Sequence, residues 1–577
     1  MAEATPKRPR RRRRFILFTV FVVILLSVLS LIGRRPKIDP GTVLVVSLEG
    51  EIPEAPPQDP FRQITSLLEQ RDGTPSLHEL RRALRHARDD SRIAGVLLEV
   101  RALECGWAVI DEIRGLISDV RAAGKPVQVL LSGDFAEEKE YAVASSASRI
   151  VLAPEAGLLL NGLLAEVTFF RGLLDWAMIE PEVLQLKEYK SAGEPFVNRR
   201  MSPAMREALS SLLSEIHGRF LAQVAEQRKI DPGKLRQMLD RGLLTSKEGL
   251  SAGLVDALGY RDEVEQAMGA DQTKKRITVA RYLKALADEP TRGNVALIYA
   301  TGPIVAGEVQ SGLGAGEVIE GPRLARLIRQ AAEDEQIKAI VLRVDSPGGS
   351  AVGSDMIWRE IQRTRSQKKP VVVSMSSVAA SGGYWISMGA DAIVAQPSTI
   401  TGSIGVVSMH FNILPLWERI GLSLDTIKLG ENADLMSPFR SWNAEHKARL
   451  IAWMQAVYDD FVARVARGRK LSESVVEPLA HGRIWSGTQA QQRKLVDEVG
   501  GLELAVRIAR ERAGLPPSGP EPVVFPRSKG VLAMLAEMGH AVARAVERPD
   551  PQRVLRDLVR QLGASGPTLL APTIHIK

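Results

Sequence analysis

Four stretches of the sequence carry residue types that could do chemistry together. "VAASGGYWIS", Val378 to Ser387, sets Ser381 directly before a glycine pair. "VDSPGGS", 344–350, places Pro347, Gly348 and Gly349 after an apolar run. "PSTITGSIGV" contains Ser403, and "LKEYKSAGEPF", 186–196, contains Lys187 and Lys190. A serine on a tight turn can serve as a nucleophile when a base takes its proton. A Gly-Gly turn whose backbone N–H groups converge can hold the resulting oxyanion. Each stretch also has a plainer reading. Ser381 suits a helix cap, and "SPGG" suits an ordinary strand-to-helix turn.

The base is open on residue types alone. The chain has eight histidines, His78, His86, His217, His410, His446, His481, His540 and His575, and none sits in a recognisable triad context. His410, in "VVSMHFNIL", reads as a strand-edge residue, and His446, in "SWNAEHKARL", as part of a polar helix face. The other option is a neutral lysine. Its ordinary pKa is about 10.4, so it must be desolvated and kept away from acids to act near neutrality.

The elements that would position these groups come in two copies. "GTVLVVSLEGEI" from Gly41 resembles "GNVALIYATGPI" from Gly293. "SRIAGVLLEV" resembles "EQIKAIVLRV", "GKPVQVLLSG" resembles "KKPVVVSMSS", and "YAVASSASRIVLAP" resembles "YWISMGADAIVAQP". "LSAGLVDALG" matches "AQQRKLVDEVG". The offset stays near about 240–250 residues throughout. The reading is therefore two repeats, 41–270 and 290–515. Short β-rich runs such as "IKAIVLRV" and "DAIVAQP" alternate with helical stretches such as "GSDMIWREIQRTRSQ". That alternation implies an α/β fold with a parallel, helix-flanked sheet in each repeat. Aligning the copies sets Lys190 on about Asp434, Ser381 on about Glu138, and "DSPGG" on "RALEC", 101–105. The first copy thus offers a lysine without serine or glycine turn, and the second offers the reverse.

Ahead of the repeats lies a basic head, 1–14, with Lys7, Arg8 and Arg10 to Arg14, followed by the uncharged run Phe15 to Gly33. A run of about 20 apolar residues spans a bilayer core of about 30 Å. The "RRPK" after Gly33 is a poor cleavage site, so 15–33 reads as a retained transmembrane helix. The cation excess before it sets the N-terminus inside the cell and the repeats outside. Much of the formal net charge of +8 sits in that head. The remainder is near balance, which argues against nucleic-acid binding. A single cysteine, Cys105, excludes an internal disulfide, and no metal site is expected. "PPSGPEP", 516–522, reads as a linker into a tail to residue 577, in which Leu532, Leu535, Met538 and Val542 form an apolar helix face suited to packing or partner contact.

Taken together, "VDSPGGS", "AASGGYWIS", "PSTITGSIGV" and "YKSAGEPF", in that setting of anchor and repeat, resemble the long, double-domain form of the signal peptide peptidase A (protease IV) family, peptidase family S49. The resemblance covers nearly all of residues 10 to 515. It implies tandem ClpP/crotonase-like domains and a Ser/Lys dyad, with Ser381 as nucleophile and Lys190 as general base. It implies Ser403 as the residue that orients the lysine, and Gly348 and Gly349 as the oxyanion turn. Only the match to "YKSA" favours Lys190 over Lys187. No cofactor is implied. The implied substrates are apolar peptides, chiefly cleaved signal peptides, the implied assembly is a homotetramer, and the implied location is the bacterial inner membrane with the catalytic repeats on the periplasmic side. Two rival classes are a coenzyme-A enzyme on the same fold and a catalytically silent membrane scaffold.

Overall fold

In the computed structural model the described residues are 36–56, 73–270, 275–286, 293–308, 317–527, 568–570 and 575–576. The apolar run 15–33 and the apolar helix face expected at 532–542 lie outside them. Among the described residues, no helix is long and apolar enough to cross a membrane.

Two sheets sharing one parallel strand order carry the chain, and the second also holds Ile400–Gly402, parallel to Val371–Ala380, with Ile484–Ser486 antiparallel beside it. In the first half the order is Ala257–Leu258, Arg149–Leu152, Val127–Leu131, Ile93–Leu103, Thr42–Gly50, Arg276–Thr278. In the second it is Glu498–Val499, Ala392–Ala395, Val371–Ala380, Ala339–Ser346, Val295–Thr301, Val523–Phe525. The expected boundaries at 270 and 515 therefore fall one strand short. Each sheet closes on a strand beyond them, and "PPSGPEP" leads into an edge strand of the second sheet.

Both faces of the second sheet are covered, which is why its strands read as unbroken apolar runs. Successive side chains alternate between faces. Leu297, Val341, Val372 and Val394 meet the helix Leu502–Arg512 through Leu502, Ala505 and Ala509. Ile298, Ile340, Leu342, Val373 and Ile393 face a larger cluster with Ile328, Ile357 and Phe461 from three other helices.

The duplication extends to single hydrogen bonds. Tyr141 donates to the Leu254 carbonyl at 2.7 Å, and Tyr384 to the Leu495 carbonyl at 2.8 Å. Helices Pro203–Arg228 and Ala444–Arg469 each end at a lysine in the left-handed conformation, Lys229 and Lys470. Their terminal arginines bind Asp256 and Asp497 at 2.7 and 2.6 Å.

The halves meet at many contacts, and two of these bear on the site. Glu180–Gln185 of the first pairs antiparallel with Val407–Asn412 of the second. In addition, Arg343 of the second half is buried with Glu54 at 2.8 Å and Glu112 at 3.0 Å, both from the first half. Its guanidinium also donates to Ser374 and Ser376, and Ser376 donates to Glu54.

Candidate active site

Ser381 stands where the Val371–Ala380 strand turns into the short helix Gly382–Ser387. It occupies the N-cap position, yet its side chain makes no capping bond. Its backbone lies at φ 56°, ψ −113°, a region that non-glycine residues rarely adopt. Two bonds hold it there: its N–H donates to the Gly402 carbonyl at 2.8 Å, and its carbonyl accepts from Trp385 N–H at 2.8 Å.

The glycines after it serve packing. A Cβ on Gly382 would come within 2.8 Å of Ser354 Oγ and 3.0 Å of Gly348 Cα. One on Gly383 would come within 2.6 Å of the Ser346 carbonyl oxygen. The pair lets the serine helix press onto the "SPGG" turn. Gly348 and Gly349, at φ 101° and 145°, form the strand Gly348–Ser350 there. The Gly349 nitrogen lies 3.1 Å from the position a Gly382 Cβ would take, so the turn abuts the start of the serine helix.

Lys190 reaches this place from the first half. After the Glu180–Gln185 strand the chain runs along the second half: Leu186 N–H donates to the Val406 carbonyl and Tyr189 N–H to the His481 carbonyl, both at 3.1 Å. Gly482 makes this approach possible, since a Cβ there would fall 2.5 Å from the Lys190 nitrogen. Gly405 flanks the side chain, and a Cβ on it would lie 3.2 Å from Lys190 Cδ. Neither glycine was singled out from sequence. Gly405 lies inside "TGSIGV" and Gly482 follows a histidine, and nothing local marks either as a lysine channel.

The Lys190 amine is fully buried, 2.6 Å from Ser381 Oγ, 2.9 Å from the Ser403 carbonyl and 3.0 Å from Ser403 Oγ. Burial is the cause that drives its pKa well below the ordinary lysine value, and among the described residues no acid pairs with it to oppose that shift. Three contacts suit a neutral amine: two N–H groups donate to the Ser403 oxygens, leaving the lone pair for the Ser381 hydroxyl proton. Ser403 is itself held in the left-handed region at φ 51°, with its N–H donating to the Arg483 carbonyl at 2.7 Å.

Lys187 points elsewhere. Its amine pairs with Glu477 at 2.8 Å on the surface and lies over the Tyr458 ring. The histidines also have other settings. His410 bonds the Arg440 carbonyl and stacks on Trp442. His446, expected on a polar helix face, is buried, because the apolar side of the Ala444–Arg469 helix includes it. His78 contacts Tyr299 at 2.8 Å, far along the chain in the interface between halves.

A strained serine against a buried amine, beside a glycine turn on a parallel sheet, is the equipment of a serine hydrolase. Comparison with known proteins places it further. A family model described as peptidase family S49 matches residues 119–275 and 363–516, the same part of each half. The chain is 34% identical to the chloroplastic serine protease SPPA of Arabidopsis thaliana over 83% of this chain and 70% of that protein. It is 35% identical to Protease 4 of Salmonella typhi over 76% of this chain and 72% of that one. Among solved structures it is similar to a ClpP1 mutant from Listeria monocytogenes, with 14% identity, a TM-score of 0.23, and coverage of 36% of this chain and 91% of that one. The protein is a serine protease. The chain belongs to peptidase family S49.

Proposed function

We propose that the protein is a membrane-anchored endopeptidase with a Ser381/Lys190 dyad split between two ClpP/crotonase-like repeats, and that it degrades apolar peptides, including cleaved signal peptides. The observation that carries this reading is the 2.6 Å contact between a fully buried lysine amine and Ser381 Oγ. Neutral Lys190 takes the hydroxyl proton as Oγ bonds to the peptide carbonyl carbon. Of the expected oxyanion pair, Gly348 donates its N–H to Ser346 Oγ, and the Ser381 N–H donates to Gly402, so the oxyanion is met by the N–H of Gly349 with that of Gly382 beside it. The Lys190 ammonium returns the proton to the leaving amine as the C–N bond breaks. The same amine then deprotonates the water that releases the acyl group. Ser403 aims the amine throughout.

The apolar run 15–33 supports the anchor, with the repeats on the periplasmic side of a bacterial inner membrane. The 171–178 and 414–436 segments, which touch where Arg419 donates to the Trp176 carbonyl, expose Leu173, Trp176, Ile420, Ile427 and Leu429. An apolar surface of that kind supports assembly of copies, which we assign as a homotetramer.

The test is hydrolysis of an apolar fluorogenic peptide by the detergent-solubilised full chain. Ser381→Ala and Lys190→Ala lose turnover by about 10³-fold or more, while Lys187→Ala retains it. Near-wild-type turnover in Lys190→Ala overturns the dyad.

A further inference from the structure

The strand Val371–Ala380, which leads into Ser381, does not keep even register with its neighbour Ala339–Ser346. Val344 pairs with Met375, but Ser346 pairs with Ala379. Two steps along one strand therefore face four along the other, and the extra residues form a bulge just ahead of the nucleophile. A bulge leaves main-chain groups out of the ladder, and each needs another partner. From the side of the Ile400–Gly402 strand, Thr399 donates to the Ser376 carbonyl and Thr401 to the Ala379 carbonyl, both at 2.7 Å. From the other side, Asp345 Oδ1 accepts from the Val378 N–H at 2.8 Å.

Asp345 is well placed to act on the site. Its carbonyl accepts from Gly302 N–H at 2.9 Å, which ties it to the next strand as well. The residue after it, Ser346, is fully buried, and its Oγ accepts from Gly348 N–H. The Ser346 carbonyl is also what leaves no room for a Cβ on Gly383. One carboxylate thus joins the strand that ends in the oxyanion turn to the strand that ends in the nucleophile. Stability does not account for a carboxylate here. Loss of water raises its pKa first, the Glu54 charge adds to the rise, and Glu317 adds further, while the Val378 N–H and Arg343 oppose it. The fold therefore loses stability as pH rises from the ordinary 3.8 through the raised value.

We propose that Asp345 is a positioning residue for catalysis, whose side-chain oxygen fixes the bulge at Val378 and so sets Ser381 Oγ against the oxyanion turn. The inference rests on the dyad reading above and adds to it a residue outside the dyad that acts through the backbone. It acts as an acceptor rather than as a charge, so an amide oxygen serves in its place.

The test is the rate at which an active-site-directed phosphonate labels the detergent-solubilised full chain, taken per labelled site. Asp345→Ala is labelled about 10²-fold more slowly, the cost of a displacement near 1 Å at a reacting centre. With an apolar peptide its kcat falls by about the same factor, and KM stays within about twofold. Asp345→Asn restores labelling and kcat to within about threefold of wild type. The proposal is overturned by wild-type labelling in Asp345→Ala, or by equal slowing in Asp345→Ala and Asp345→Asn. Fewer labelled sites in Asp345→Ala, each reacting at the wild-type rate, also overturn it, because the residue then serves only the fold. The position of the label separates these results from a failure of the dyad. With the label on Ser381, they remove the positioning role alone. A wild-type label on any other residue removes the dyad reading and this inference with it.

Discussion

Lys190 Nζ lies 2.6 Å from Ser381 Oγ although 191 residues separate the two in the chain. The contact is made by the antiparallel pairing of Glu180–Gln185 with Val407–Asn412, which carries a first-half loop into the second half. The consequences for pH dependence, local geometry and stability can each be measured.

Burial lowers the Lys190 pKa below its ordinary 10.5, so activity falls as pH drops through that lowered value and the amine takes a proton. Stability follows the same linkage. Between the folded-state pKa and about 10.5 the unfolded chain binds a proton that the folded chain refuses, so the folded state gains stability as pH rises across that window. Lys190→Met removes this term. It is expected to abolish turnover yet melt at a higher temperature than wild type near neutral pH, with the gap closing towards about pH 10.5. Melting curves of both chains from about pH 6 to that value check this.

Ser403 supplies two of the three contacts to the amine, one through its backbone carbonyl. Ser403→Ala removes only the hydroxyl, and the carbonyl still restrains the amine. A fall in kcat of about 10- to 100-fold with little change in KM is expected, in line with one lost orienting hydrogen bond of roughly 1.5–3 kcal/mol. Steady-state kinetics over a range of apolar peptide concentrations decide it.

Gly382→Ala adds one carbon at a position 2.8 Å from Ser354 Oγ and 3.0 Å from Gly348 Cα. The serine helix must then move off the "SPGG" turn. A displacement near 1 Å at a reacting centre costs about 10²-fold, so turnover is expected to fall by about that factor or more. An active-site-directed phosphonate should label the variant correspondingly more slowly than wild type.

Arg343 is buried between Glu54 and Glu112, and its removal would leave two first-half carboxylates inside the interface without their cation. Arg343→Met is expected to destabilise the fold by about 3–5 kcal/mol. Circular dichroism in guanidinium would show an earlier unfolding midpoint. Activity would be lost together with the fold, because the strand that carries Arg343 ends at the glycine turn.

Much of this site was legible in the sequence. The internal offset and the apolar runs follow from chemistry that repeats along the chain, and they predicted strands such as "IKAIVLRV" and the complementary loss of serine and lysine from the two copies. The motif resemblance pointed to Ser381, Lys190, Ser403, Gly348 and Gly349. Other features depended on contacts between residues far apart in sequence, which periodicity does not encode. Lys190 and Lys187 look alike in "LKEYK", and only the packing of Gly405 and Gly482 buries one while Glu477 holds the other at the surface. The sequence signal for Ser381 is the same for a cap and a nucleophile, and its left-handed backbone is set by Gly402 across the sheet. The closing strands Arg276–Thr278 and Val523–Phe525 are too short to stand out from flanking loops, and pairing to a sheet edge defines them. The pairing of Thr568–Leu570 with Gly348–Ser350 is decided in the same way, because a strand edge selects by main-chain geometry and so leaves little trace in residue types.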